Sequence, residues 1–288
     1  MRGSAIWHGL ALGDHVCVPT AEVSDQPAML HEFADAGLRE GQKVLLATSR
    51  PAPSALVDAL RAKLPGAPDA LAHGQLVVSD AADIYFPDGR FDPERTLRTL
   101  AAEIDLAERE GYPGLRISGD LTWAAAHGVD GRLLADYETR ANLLFVGGRA
   151  LGVCHYDPRQ FASTAWQELV AAHPASLRPA TQTPVSGLRC VLTVAPTGLA
   201  VDGEADLSNR AALSSVLSAV VPMPGRCVID ATGLRFADAY AMSSLVDVAV
   251  ARGDRPTTLV CSPRLARLLD LLDVGRVPAL SLRIGTAR

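Results

Sequence analysis

Short apolar runs alternating with longer segments of helical spacing constrain this chain more than any other feature. Residues 13–18, 43–47 (KVLLA), 75–79 (QLVVS) and 114–119 (GLRISG) read as strands. Met29, Leu30, Phe33 and Ala34 mark one face of a helix over about 26–37, and Leu56, Leu60 and Leu64 stand four apart behind Ser54 as a cap. Leu97, Leu100, Ile104 and Ala107 line a long helix introduced by Phe91-Asp92-Pro93 and ending at Glu110. A helix through Tyr137 and Glu138 leads to strands at 143–146 and 150–154, and residues 161–172 are amphipathic. Strands separated by helices of ten or more residues need crossover connections, so a mostly parallel sheet covered on both faces is expected. The fold class is α/β, with a Rossmann-like three-layer N-terminal domain and a smaller C-terminal α/β domain.

Periodicity disappears over residues 175–187 (ASLRPATQTPVSG), where Pro179 and Pro184 fall among Ser and Thr. The expected division is a first domain over 1–176, a linker over 177–187 and a second domain over 188–288. That second domain reads strand, strand, helix, strand, helix, strand, helix and a last short strand. At its centre lies 227–245, CVIDATGLRFADAYAMSSL. Cys227, Val228 and Ile229 suit a buried strand ending at Asp230, and Gly233 permits a tight turn. Phe236 is expected to pack back on the core and Asp238 to cap a helix whose apolar face is Ala239, Met242, Leu245, Val246 and Ala249.

Composition narrows the function classes. The net charge is −5 with pI near 5.8, and no basic stripe offers phosphate contacts, so a nucleic-acid partner is not expected. No run reaches the roughly 18 apolar residues of a membrane span, and the first thirty residues lack a signal-peptide pattern, so a cytoplasmic, non-membrane protein is expected. The five cysteines (Cys17, Cys154, Cys190, Cys227, Cys261) show no C-x-x-C pair, and the last three sit in apolar strand-like runs as core residues.

Residues 13–174 resemble the MEDS domain, a sensory domain of methanogens and methylotrophs. The resemblance rests on Asp14-His15-Val16-Cys17, Ala36 through Gln42 (AGLREGQ), Phe91-Asp92-Pro93 and Gly111-Tyr112 through Leu115-Arg116. It continues through Gly119-Asp120-Leu121 to Trp123, Tyr137-Glu138 with Asn142, Cys154-His155-Tyr156-Asp157, and His173-Pro174. Asp120 stands where relatives carry Glu. The resemblance implies a sensor of small organic ligands with a RecA-like layout. A RecA-like ATPase needs a Gly-rich loop ending Gly-Lys-Ser/Thr after the first strand. Here that interval is PTAEVSDQP, with neither Gly nor Lys and with Glu22 and Asp25 to repel phosphate, so nucleotide hydrolysis by that route is not expected.

The second domain is similar to STAS domains, the fold of anti-sigma factor antagonists, through 199–209 (LAVDGEADLSN) and 227–245. In that family the helix opens with an Asp-Ser-Ser/Thr-Gly run whose first Ser is phosphorylated by a partner kinase. The matching position here is Ala239, followed by Tyr240 and Ala241, so the switch of about −1.5 to −2 charges is missing.

Ligands of open α/β sheets collect outside the carboxyl ends of the strands, which singles out Ser49, Asp120, Trp123, Cys154, His155 and Tyr156. Arg116, mid-strand among apolar neighbours, either pairs with Asp120 or Glu138 or anchors a ligand carboxylate or phosphate. The candidate ligand-binding set is His15, Cys17, Arg116, Asp120, Trp123, Glu138, Cys154, Tyr156 and His173; no cofactor and no catalytic residue is assigned. The candidate partner-binding set is Arg235, Asp238, Ala239, Tyr240 and Ser243, with Arg235 and Tyr240 exposed.

The leading expectation is a non-catalytic regulator in which a ligand sensor governs a docking module for an anti-sigma factor or a serine kinase of that type. A homodimer is an open option. In this reading no residue is a metal ligand. One alternative makes His15, Cys17, Cys154, His155 and His173 a metal, haem or redox centre. Another is a small-molecule enzyme using Asp120, Glu138 and His173.

Overall fold

The structure is a computed structural model that describes Trp7 and residues 9–20, 26–177, 187–271 and 277–286. Most of the loop 19–27, with Glu22 and Asp25, and most of the expected linker lie outside the described residues.

The N-terminal sheet joins β1 (His15–Pro19), β2 (Lys43–Thr48), β3 (Leu76–Asp80), β4 (Leu115–Asp120), β5 (Ala150–Tyr156) and the two-residue β6 (Ala175–Ser176). Its order is β3-β2-β4-β5-β1-β6, and every pairing is parallel. Ala175 and Ser176, which open the stretch without periodicity but fall inside the expected first domain, pair with Val16 and Cys17 at the sheet edge.

Because side chains alternate along a strand, each strand serves two cores. Val16, Val18, Val44, Leu46, Leu151 and Val153 face α1 (Gln26–Arg39), α2 (Pro53–Lys63) and α3 (Ala67–Ala72). Cys17, Leu45, Ala47, Leu115, Ile117, Cys154 and Tyr156 face α4 (Ala81–Tyr85), α5 (Pro93–Arg109), α7 (Gly131–Phe145) and α8 (Ser163–Ala171). A short α6 (Trp123–Ala126) follows β4.

Several local expectations need correction. Residues 143–146 are not a strand: α7 runs through Phe145, and the apolar run is its last turn. A run of four apolar residues does not by itself distinguish a strand from a buried helix end. Ser54 is not a cap, since Ala52 holds that position and Pro53 opens the helix. Asp92 does cap α5, its side chain accepting from the Arg95 N–H at 3.1 Å.

The C-terminal sheet contains β7 (Leu188–Val194), β8 (Thr197–Ala205), β9 (Cys227–Ala231), β10 (Leu234–Ala237), β11 (Thr257–Cys261) and β12 (Leu280–Ile284). Its order is β10-β8-β9-β11-β12, parallel throughout, with β7 antiparallel on β8. The described helices are α9 (Arg210–Val220), α10 (Ala239–Arg252) and α11 (Pro263–Asp270). The strand β10 was not foreseen. A register shift between Leu234 and Phe236 turns Phe236 to the surface, correcting its expected place in the core. A Cβ at Gly233 would lie 1.6 Å from Asp202 Oδ1, so any larger residue there would displace that exposed carboxylate. Cys190, Cys227 and Cys261 are buried in this core, as expected. Arg252 is buried too, its guanidinium donating to the carbonyls of Val220, Met223 and Gly225 at 2.7–2.8 Å.

The two parts are packed together. Val146, from the end of α7, belongs to the C-terminal core, and its carbonyl accepts from the Leu192 N–H at 2.8 Å. The Ser215 hydroxyl on α9 donates to the Thr139 carbonyl on α7 at 2.6 Å, and Arg189 pairs with Asp14 at 3.1 Å.

Candidate functional site

The pleat sorts the candidate residues before any chemistry does. On the α7 face, β1 presents His15 and Cys17, and β5 presents Cys154 and Tyr156; their register sets Cys17 opposite Cys154. Glu138 comes down from α7, and His173 follows the end of α8. His15, Glu138 and His173 are at most 1% exposed and Cys154 is 9% exposed.

These four side chains converge. Glu138 Oε2 lies 3.2 Å from His15 Nε2, 3.4 Å from His173 Nε2 and 3.7 Å from the Cys154 Sγ. His15 Nε2 lies 3.3 Å from the same sulfur. The other ends of the side chains are held in place. His15 Nδ1 is 2.9 Å from Asn142 Oδ1, and Asn142 donates its amide protons to the Thr139 and Ala172 carbonyls, which fixes the oxygen toward the imidazole. His173 Nδ1 donates to the Leu169 carbonyl at 2.8 Å, and the Tyr156 hydroxyl donates to Glu138 Oε1. The His15 ring stacks on Phe145, with centroids 4.5 Å apart.

Burial alone would raise the Glu138 carboxyl, but His173 and His15 beside it bring it below the ordinary carboxylate range. Burial, followed by the neighbouring His173, lowers His15. Burial and the Glu138 charge push the Cys154 thiol well up. A small cavity lined by His15, Tyr85, Leu100, Tyr137, Glu138 and Cys154 adjoins the cluster.

Cys17 is buried in this region, but its sulfur is not one of the converging atoms. Trp123 serves as a wall, packed among Tyr85, Phe86, Phe91 and His127.

Arg116, Asp120 and His155 occupy the opposite face. Arg116 pairs with neither Asp120 nor Glu138: its Nε donates to Gln42 Oε1 at 2.8 Å and its Nη2 to Glu40 at 3.3 Å, over the Phe33 ring. Gly37 makes room for it, since a Cβ there would meet Arg116 Cδ at 2.9 Å. Asp120 accepts from the Ser49 and Thr122 N–H groups at 3.0 Å and from the Thr122 hydroxyl at 2.6 Å. His155 Nε2 is 2.9 Å from the Ser118 hydroxyl, and burial lowers its pKa to about 4. Gln26, Thr48, Arg50, Ser118, Asp120 and His155 line a second small cavity. The sheet thus divides the expected ligand set in two, and Asp120 cannot share one reaction centre with Glu138 and His173. His155 likewise falls away from the His/Cys centre.

Sequence reasoning missed Asn142 as a site residue, although it stands one helical turn beyond Glu138 on the same face of α7. The Thr139–Ser215 contact carried no signal in the sequence.

In the C-terminal part Asp238 caps α10, accepting from the Ala241 N–H at 2.7 Å. Ala239 and Tyr240 are exposed beside it, Ser243 is half-buried, and Arg235 is exposed 3.7 Å from Glu204. From α9, Arg210 lies over the Tyr240 ring at 4.1 Å and 3.4 Å from Asp238, and Ser214 shares a hydrogen bond with the Tyr240 hydroxyl at 2.9 Å.

A family model described as MEDS, the methanogen/methylotroph, DcmR sensory domain, matches residues 14–174. Among solved structures, the flagellar accessory protein FlaH from Methanocaldococcus jannaschii is similar with a TM-score of 0.43 and 10% identity, covering 60% of this chain and 74% of its own. The comparison with curated proteins found no match.

Proposed function

We propose, from the premise that this chain belongs to the MEDS sensory family, that it is a non-catalytic two-part regulator. Occupancy of the α7-side centre in the N-terminal part controls how the C-terminal part presents a docking face. That face is the surface around the start of α10, of the anti-sigma factor antagonist (STAS) type, and its partner is an anti-sigma factor or a serine kinase of that type. The setting is the cytoplasm; no described helix is long and apolar enough to cross a membrane.

One observation carries the reading: a continuous path of contacts between the two places. Glu138 sits in the buried cluster, and the next residue, Thr139, accepts from Ser215 of α9. On the same helix, Ser214 and Arg210 contact Tyr240 and Asp238. A shift of α7 by a fraction of an ångström is therefore felt by a helix that touches the expected docking residues. Packed interfaces switch between discrete arrangements rather than deforming smoothly. The absent hydroxyl at Ala239 supports the same reading, because a docking module that phosphate cannot switch needs another input.

The test is capture by immobilised full-length protein with identification of what is retained. Wild type should retain an anti-sigma factor or its kinase, and Tyr240→Ala should lose it. Equal retention by both proteins, or retention of neither partner class by wild type, would overturn the docking assignment.

A further inference from the structure

The buried cluster of His15, Glu138, Cys154 and His173 contains more acceptors than it has protons to share. His173 Nδ1 faces only the Leu169 carbonyl, so it carries the proton, and Nε2 of the neutral ring is a lone pair. That Nε2 is fully buried and has no hydrogen-bond donor. His15 Nδ1 faces Asn142 Oδ1, whose orientation is fixed by its own amide donors, so His15 Nε2 is a second lone pair. Glu138 Oε2 is the third acceptor, and with both imidazole protons turned outward the Cys154 thiol supplies the one hydrogen that these groups direct into the cluster. Three buried acceptors pointed at one another are costly unless a cation lies between them.

The geometry selects the cation. A tetrahedral ion with bonds of about 2.0–2.3 Å to nitrogen, oxygen and sulfur holds neighbouring donors roughly 3.3–3.8 Å apart. Four of the six separations are 3.2, 3.3, 3.4 and 3.7 Å, and all four donor atoms fall within 4.8 Å of one another. Two imidazoles, a thiolate and a carboxylate form a borderline-soft set that suits zinc and its neighbours rather than magnesium or calcium. A divalent ion also neutralises the carboxylate and the thiolate, leaving no net charge in the core. Supporting contacts are in place: Asn142 and the Leu169 carbonyl orient the two imidazoles, and Tyr156 holds the far carboxylate oxygen.

We propose that His15, Glu138, Cys154 and His173 form a four-coordinate site for a divalent transition-metal ion of the zinc class, and that this ion is the input sensed by the N-terminal part. The second clause rests on the regulator reading above; the first does not. Binding replaces the Cys154 S–H bond with a metal–sulfur bond and releases that proton to solvent.

The experiment is a cobalt(II) titration of the chelator-treated full-length protein, followed by zinc displacement. Expected are the visible bands of tetrahedral cobalt and a sulfur-to-cobalt charge-transfer band in the near ultraviolet, both lost when zinc is added. The near-isosteric Cys154→Ser should keep the fold by circular dichroism and lose the charge-transfer band. Asn142→Ala, which leaves all four donors intact, should weaken binding about 10- to 100-fold. A folded wild-type protein that shows no such bands and takes up no zinc overturns the site and points to protonated imidazoles balancing Glu138. Hydrogen exchange in α9 and α10 with and without zinc separates the two claims. Metal binding without a change in exchange retains the site and overturns sensing. A change caused by some other ligand, without metal uptake, retains the regulator and overturns the site.

Discussion

Thr139 and Ser215 face each other across the seam between the two parts, with the hydroxyl donating to the carbonyl at 2.6 Å. Thr139 follows Glu138, so two consecutive residues of α7 touch the buried cluster, through the Glu138 side chain, and α9, through the Thr139 carbonyl. The Thr139 carbonyl also accepts from the Asn142 amide at 2.9 Å, so Ser215→Ala does not leave it unsatisfied. That substitution should cost about 1 kcal/mol in chemical denaturation. Its larger effect should be on coupling, seen as smaller ligand-induced changes of hydrogen exchange in α10 than in wild type.

Gly152 lies on β5 beneath Phe145, and a Cβ there would stand 2.4 Å from the ring. Gly152→Ala should overpack this site and cost about 1–3 kcal/mol. Because Phe145 stacks on His15, the displaced ring should also disturb the imidazole, and cobalt affinity should fall by at least tenfold. A variant that binds cobalt as wild type does would show that the stacking does not position His15.

His155 gives the fold an acid-sensitive element on the other face of the sheet. Its pKa falls from 6.5 to about 4, through burial, with Asp120 opposing the shift. The stabilisation it provides as a neutral ring is complete above the unfolded value of 6.5 and is lost as pH falls toward about 4. Between about pH 7.5 and pH 5, wild type should lose about 2 kcal/mol more stability than His155→Gln, which keeps a partner for Ser118 but does not titrate. Urea denaturation at the two pH values measures the difference; parallel losses would show that His155 is not held neutral.

Ala239 opens α10 at its exposed first position, beside the Asp238 cap. Ala239→Asp places a carboxylate at the helix N-terminus, where it should leave stability unchanged or raise it by about 0.3–1 kcal/mol. If the surface around it is the docking face, the same substitution should abolish partner capture while thermal unfolding is unchanged or shifted upward. Undiminished capture would place the docking face elsewhere.

The Arg252 guanidinium faces backbone carbonyls and the Thr257 hydroxyl, with its Nε donating to the latter at 3.0 Å. Arg252→Leu would leave the carbonyls of Val220, Met223 and Gly225 without that donor at the end of α9, and should destabilise the protein by about 3 kcal/mol. Thermal unfolding followed by circular dichroism measures it.

Much of this architecture was legible because apolar runs and helical spacing report burial directly. The α/β class and the strands through Val44, Val77 and Ile117 follow from those patterns. Where a segment was too short to show a period, as at Leu143–Val146, or was bent by a register shift, as at Phe236, the pattern misled. For the site, each converging residue stood out by type, but their grouping did not. Residues 15, 138, 154 and 173 meet through strand register and helix packing that no spacing encodes. One part of the sorting was available: Cys154 and His155 are neighbours on a strand and cannot face the same side. That alone separates His155 from the His/Cys centre.

The placement of Val146 decides where this chain can be divided. Its side chain belongs to one core while its helix belongs to the other, so the boundary suggested by the proline-rich stretch after residue 177 is not where the apolar surface ends. A fragment stopping there would carry a bare hydrophobic patch at the end of α7, and the remainder would lack a piece of its interior. Expressed separately, the halves should each be sticky, and each would find its best cover in the other.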